Sequence, residues 1–308
     1  MNKNLEIPIL VFAYKRFNLL KKLISSLKKN KEHSEHKLYI FIDGPKNLRD
    51  TLKVKKVKNY CKTICGFKSI KIIERKKNFG LAKNIVNGIT RIFKKYECVI
   101  ILEDDLEVGK FFLDYMNKCL NKYKDFKKIW HISAWSNCPL WLSKVYFYDF
   151  YLSSHMNCWG WGTWNDRWKF FEKNPNKLLK SWSMDKVVKF DNHGLFNNWS
   201  QIIRNRKKII NTWAVFWNAT IFHNKGLCLN PTNTLVINRG HDMQSTHMRL
   251  NDKFFQPNKL INKRLTNFNL IIKKNKLIDK LILLNLRIKK IFLKFKLKII
   301  YYKEISQS

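Results

Sequence analysis

Three adjacent carboxylates, Glu103-Asp104-Asp105, follow directly on the apolar run 99–102. Like charges at neighbouring positions repel, so each raises the others' pKa and the segment destabilises the fold unless something neutralises it. A divalent cation would do so, and all-oxygen donors suit Mg²⁺ or Mn²⁺, ions that keep open positions able to bridge a diphosphate. The competing reading is a solvated acidic turn, and the triplet alone leaves the two even. Other residues invite similar pairs of readings. Asp43 precedes Gly44-Pro45 and reads either as a ligand contact or as a turn residue satisfying its own backbone. Lys83, near the start of a helical pattern, either neutralises phosphate or is solvated.

A metal site at residue 105 needs run 99–102 to be a buried strand, because ligands of open α/β sheets sit outside the carboxyl ends of strands. Runs 7–12, 38–42 and 99–102 are short, continuous and rich in β-branched or aromatic residues. Between them, Leu19, Leu20, Leu23, Ile24 and Leu27, and then Leu81, Ile85, Ile89 and Phe93, recur at helical spacing. Strand alternating with helix predicts a mostly parallel sheet covered on both faces. Runs 70–73 and 129–133 read as further strands, with a helix carrying Phe111, Phe112, Tyr115 and Met116 before the second. Beyond Trp141 the alternation fades and tryptophans concentrate without a repeat.

With 45% hydrophobic residues among 308, the chain can bury a core and is not globally disordered. Its 61 Lys and Arg against 22 Asp and Glu give a charge of +39, which points to nucleic acid, anionic lipid or phosphorylated substrates as partners. Seven scattered cysteines without a CxxC pair predict a reducing compartment. No apolar run reaches the length of a membrane span, and the first residues lack a secretory h-region. These features predict a cytoplasmic protein, peripheral on the inner face of the membrane. Residues 266–308 hold eleven Lys or Arg and two acids, interleaved with Leu277, Leu281, Leu284, Ile288, Ile291, Phe295 and Ile299 on one helical face. That is a basic amphipathic tail for an anionic membrane surface, following a domain of residues 1–265. Its alternative is a terminal helix packed on that domain.

The run Glu103-Asp104-Asp105-Leu106-Glu107-Val108, followed by Phe111-Phe112 and Ile132-Ser133-Ala134-Trp135, resembles the manganese-motif setting of the N-acetylglucosaminyltransferase I family. The likeness covers residues 5–250. Trp159-Gly160-Trp161-Gly162 and Asn238-Arg239-Gly240-His241-Asp242 are similar to bacterial glycosyltransferases that build surface polysaccharide. The resemblance implies a GT-A fold, a Rossmann-like mostly parallel sheet, with Mn²⁺ or Mg²⁺ and a nucleotide-diphosphate sugar as donor. It makes Asp105 the metal ligand, puts Glu103 and Asp104 on the donor sugar and ribose, and gives Arg16 and Asp43 the nucleotide base and ribose. Asn78, Lys83 and Asn84 lie in a segment similar to a donor-binding stretch of inverting family 2 enzymes. His241 or His247 matches the late histidine that such enzymes recruit to metal or diphosphate, with Arg239 adding an anion donor.

The family's base position falls at Trp213-Ala214-Val215, which holds no carboxylate. A second resemblance, of the Trp-Gly-Trp-Gly run to β-1,4-galactosyltransferases, nominates Asp166 as the base, with an ion pair to Arg167 as its other reading and Asp191 in reserve. The expected reaction is inverting transfer of a sugar to a hydroxyl of a bacterial surface glycan, lipopolysaccharide or capsule, free or lipid-linked. A nucleotidyltransferase would use the same carboxylates on a triphosphate. A nucleic-acid-binding protein would account for the charge but not for the acidic triplet.

Overall fold

A computed structural model of the chain describes residues 5–240, 260–267 and 276–305. Its first half alternates as expected: β1 (Ile9–Ala13), α1 (Phe17–Lys28), β2 (Lys37–Ile42), α2 (Leu48–Lys62), β3 (Ser69–Glu74), α3 (Leu81–Ile92) and β4 (Cys98–Glu103). Then come β5 (Leu106–Val108), α4 (Phe112–Lys122), β6 (Ile129–Ser133), α5 (Leu140–Val145), β7 (Phe150–Ser153), β8 (Trp161–Trp164) and α6 (Asn165–Trp168). Helices α7 (Pro175–Ser181), α8 (Met184–Phe190), α9 (Asn198–Arg206) and α10 (Ala214–His223) precede β9 (Leu227–Pro231), β10 (Val236–Asn238) and α11 (Lys276–Ile305).

Eight strands form one sheet in the order β3-β2-β1-β4-β8-β6-β9-β7. β1 pairs in parallel with β2 and β4, β2 with β3, and β6 with β9, while β8 runs antiparallel to β4 and β6, and β7 to β9. A separate ribbon pairs β5 with β10. β1 is buried throughout because both faces are covered: Ile9 and Val11 pack with Leu20, Leu23 and Val57, and Leu10 and Phe12 with Ile85 and Ile89. That is why its sequence is continuously apolar instead of alternating.

The second half of Trp-Gly-Trp-Gly, Trp161 and Gly162, opens strand β8. Trp161 is fully buried, stacked on His131 at 5.1 Å and on Trp213 at 5.2 Å between ring centroids. A Cβ on Gly162 would lie 2.9 Å from the Val99 carbonyl oxygen, so a side chain there would push β8 off β4.

The basic C-terminal segment is not detached. Ile278, Ile282 and Leu286 of α11 are buried with Leu142, Tyr151 and Leu195, and Arg287 and Lys290 donate to the carbonyls of Asn192, Gly194 and Leu195. Among the described residues no helix is long and apolar enough to cross a membrane.

Candidate active site

The C-terminal ends of β1 to β4 converge on one edge of the sheet. Phe12 on β1 stands beside Glu103 on β4, and the next residues on β4's strand line carry the acidic triplet into the loop. Asp104 is 8% exposed and its Oδ2 accepts from the Tyr14 N–H at 2.9 Å. Asp105 Oδ2 is 2.8 Å from Arg16 Nη1, and its main-chain oxygen accepts from the Arg239 N–H at 2.7 Å. Gly240 seals this pair: a Cβ there would lie 2.3 Å from Asp105 Oδ2 and 2.8 Å from Arg16 Nη1. Among the described residues Asp105 Oδ1 is buried without a hydrogen-bond partner of good geometry, although the Asn238 side chain is near enough to lower the Asp105 pKa.

Burial together with mutual repulsion sets the protonation of the triplet. Removal from water, then the charges of Asp105 and Asp104, pushes Glu103 well above the carboxylate range. The same two causes, burial first and Asp105 second, raise Asp104 to about 7. Burial also raises Asp105, and Arg16 pulls it back. This is the signature of a site short of one positive charge.

Beside it, the Asp43 carboxylate accepts from the N–H groups of Gly44 at 2.9 Å, Phe79 at 2.8 Å and Gly80 at 2.9 Å. Its geometry is that of the turn residue, tying the loop before α3 to the end of β2. Asn78 supports the same junction by donating to the Gly44 carbonyl at 2.8 Å. Asn84 is buried and accepts from Arg75 Nε at 3.1 Å, while exposed Lys83 lies over the Phe79 ring at 4.9 Å. Tyr14 and Lys15 both bind Asp50, which ties the loop after β1 to α2. Asp50 and burial hold the Tyr14 phenol protonated, at about 12.

Not every expected residue reaches this edge. Arg239 ion-pairs with Glu107 at 2.8 Å and lines a cleft of about 810 Å³ on the outer flank of α1 with Lys21, Lys22 and Lys29, so its main chain meets Asp105 and its guanidinium does not. Asp166 follows β8, and because Cys98 pairs with Trp164 while Ile101 pairs with Trp161, it lies at the opposite end of β4 from Asp105. There it holds Lys127 at 2.7 Å and Arg167 at 2.6 Å, the ion-pair reading. Asp191 ends α8 and accepts from the Trp199 N–H at 2.9 Å, capping α9. His241 and His247 lie outside the described residues.

Two contributors were not expected. Arg75, just past β3, stacks on Phe79 at 4.7 Å and keeps a buried Nη2 without a partner, a ready anion donor at the same edge. Gly240 enters the sequence reading only within the Asn238-Arg239-Gly240-His241-Asp242 run, whereas close approach to Asp105 is what requires a glycine there. Neither has a signal in spacing, since each depends on which loops meet.

Among the described residues no three His, Cys, Asp or Glu side chains form a ready metal-ligand set. The donor chemistry still fits a hard cation: Asp105 Oδ1 has an open lone pair among the described residues, burial and then the neighbouring charges raise Glu103 and Asp104, and a diphosphate supplies further oxygens.

The chain is similar to known proteins in two comparisons. A mannosyltransferase, PcManGT from Pyrobaculum calidifontis in complex with GDP-Man and Mn²⁺, superposes on 72% of this chain and 70% of its own, with a TM-score of 0.43 and 8% identity. The sequence profile of the GNT-I family matches residues 1–193, a span that runs from β1 through the acidic triplet and β8 to the end of α8. With the carboxylates at the end of β4, Arg16, the Asp43 clamp and β8 inside that match, the chain belongs to the GNT-I family and is a glycosyltransferase.

Proposed function

We propose that the chain moves a sugar from a nucleotide-diphosphate donor to a hydroxyl of a surface glycan, with Mn²⁺ or Mg²⁺ at Asp105. The observation that carries this is the open lone pair of Asp105 Oδ1, among the described residues, within a triplet whose carboxyls are raised by burial and mutual repulsion. Asp105 would hold the cation, with Glu103 and Asp104 beside it for the donor sugar and ribose. When bound, the cation offsets charge on the departing diphosphate. Arg16 holds Asp105 in place, and Arg75 and Lys83 offer positive charge to the donor from the β3–α3 side. The clamp at Asp43 fixes the loop that leads into α3, in whose first turn Lys83 stands.

An inverting mechanism needs a carboxylate against the acceptor hydroxyl. Asp166 stands in an ion-pair cluster at the far end of β4 and Asp191 accepts from the Trp199 N–H, so this reading assigns the role to neither. The acceptor is proposed to be a bacterial surface glycan, reached from the inner membrane face through the basic α11. The test is a panel of nucleotide sugars with Mn²⁺: release of a nucleoside diphosphate supports sugar transfer, whereas release of pyrophosphate from nucleoside triphosphates would replace it with nucleotidyl transfer.

A further inference from the structure

The apolar stripe of α11 that docks on the domain is not its most regular one. Ile278, Ile282 and Leu286 are buried, while Leu284, Ile288, Ile291, Phe292 and Phe295 are left outward, with Phe292 70% and Phe295 64% exposed. The helix therefore has two apolar faces, and packing against the domain accounts for only one.

A second element shows the same excess. In α5 and the turn after it, Leu142 and Tyr146 join the small core that holds α11, yet Leu140, Trp141, Val145 and Phe147 project outward, Trp141 53% and Phe147 81% exposed. Single exposed apolar side chains are ordinary; two neighbouring elements that each expose several large ones are a binding surface.

We infer that α5 with its following turn and the outer face of α11 together form a docking surface for an anionic lipid bilayer. Charge selects this occupant. Lys144, Lys280 and Lys289 stand exposed among the apolar residues, and Asp279, the carboxylate on the described side chains of the two helices, is buried. A second copy of a chain of charge +39 would be repelled, whereas anionic headgroups are attracted. Trp141, Tyr146 and Tyr148 place amphipathic rings beside the projecting side chains, as at a membrane interface. The surface deepens the peripheral location proposed above and rests on it: it adds a second anchor, and two weak anchors hold where one is marginal.

Sedimentation of the full chain with vesicles of phosphatidylcholine alone, or with 30% phosphatidylglycerol (about one lipid in three), at low and high salt, tests it. Wild type should bind the anionic vesicles and be released by salt. Trp141→Ser with Phe147→Ser, and separately Ile291→Ser with Phe295→Ser, should each weaken binding about tenfold or more. Thermal scans should show both variants folded, since all four side chains are exposed. If the α11 variant loses binding and the α5 variant does not, the tail alone is the anchor and the inference fails while the peripheral location stands. No binding by wild type overturns both. A salt-insensitive dimer of wild type that the α5 variant abolishes would reassign the surface to self-association.

Discussion

Buried carboxylates at strand ends are satisfied in two ways here, and the difference separates scaffold from site. Asp43 has three backbone N–H donors, whereas Asp104 has the single donor of Tyr14 and a charged neighbour in Asp105. An unfolded aspartate titrates near ~3.9, while folded Asp104 keeps its proton up to about 7. Between those values the folded state binds more protons than the unfolded, so this group's contribution to stability falls as pH rises. Metal-free protein should therefore lose thermal stability relative to Asp104→Asn on going from pH 5 to 7.5, followed by scanning fluorimetry. Added Mn²⁺ should restore part of the loss in wild type. A wild type that gains on the variant with rising pH would contradict the raised value. Asp105→Asn, which removes the charge and keeps the shape, should cut Mn²⁺-dependent nucleotide-sugar binding by at least ~10-fold in calorimetry without unfolding the chain.

Elements decide which residues can act together, and two of them recast what the motifs suggest. Trp159-Gly160-Trp161-Gly162 resembles a run with acceptor chemistry behind it, yet β8 runs antiparallel to β4 and carries Asp166 away from Asp105. Antiparallel insertion leaves no trace in period or composition, which is why the distance of Asp166 from Asp105 could not be read from the sequence while β1, β2 and β4 were readable as apolar runs. Asp166 neutralises Arg167, a 2%-exposed guanidinium that also donates to the carbonyls of Lys124 and Phe126. Asp166→Asn should thus cost about 1–3 kcal/mol of stability and leave turnover per folded molecule within about twofold. A loss of ~10²-fold in turnover with unchanged stability would return it to catalysis. Gly240→Ala should act in the opposite sense, weakening metal-dependent donor binding, because its Cβ cannot coexist with the Arg16–Asp105 pair as placed.

At the scale of the whole molecule, composition marks residues 266–308 as a separate tail, but Ile278, Ile282 and Leu286 of α11 pack on the domain. The apolar residues of α11 follow more than one helical stripe, so periodicity could reveal a helix and not which face turns inward: the regular stripe through Leu284, Ile288 and Ile291 stays outside, and the one through Ile278, Ile282 and Leu286 goes in. Each of those three buried side chains contributes up to about 1.5–3 kcal/mol, offset in part by the entropy of ordering the helix. Thr266 and Asn267 add two N–H donors to Asp149. Removing everything after residue 265 should therefore expose Leu142, Tyr151 and Leu195 and lower the thermal midpoint by several degrees. Ile278→Ala with Ile282→Ala should reproduce the fall in the full-length chain, and Ile291→Ser with Phe295→Ser should not, since those side chains touch solvent already. A truncated chain that melts with wild type would mean that the inward face of α11 adds nothing to the fold.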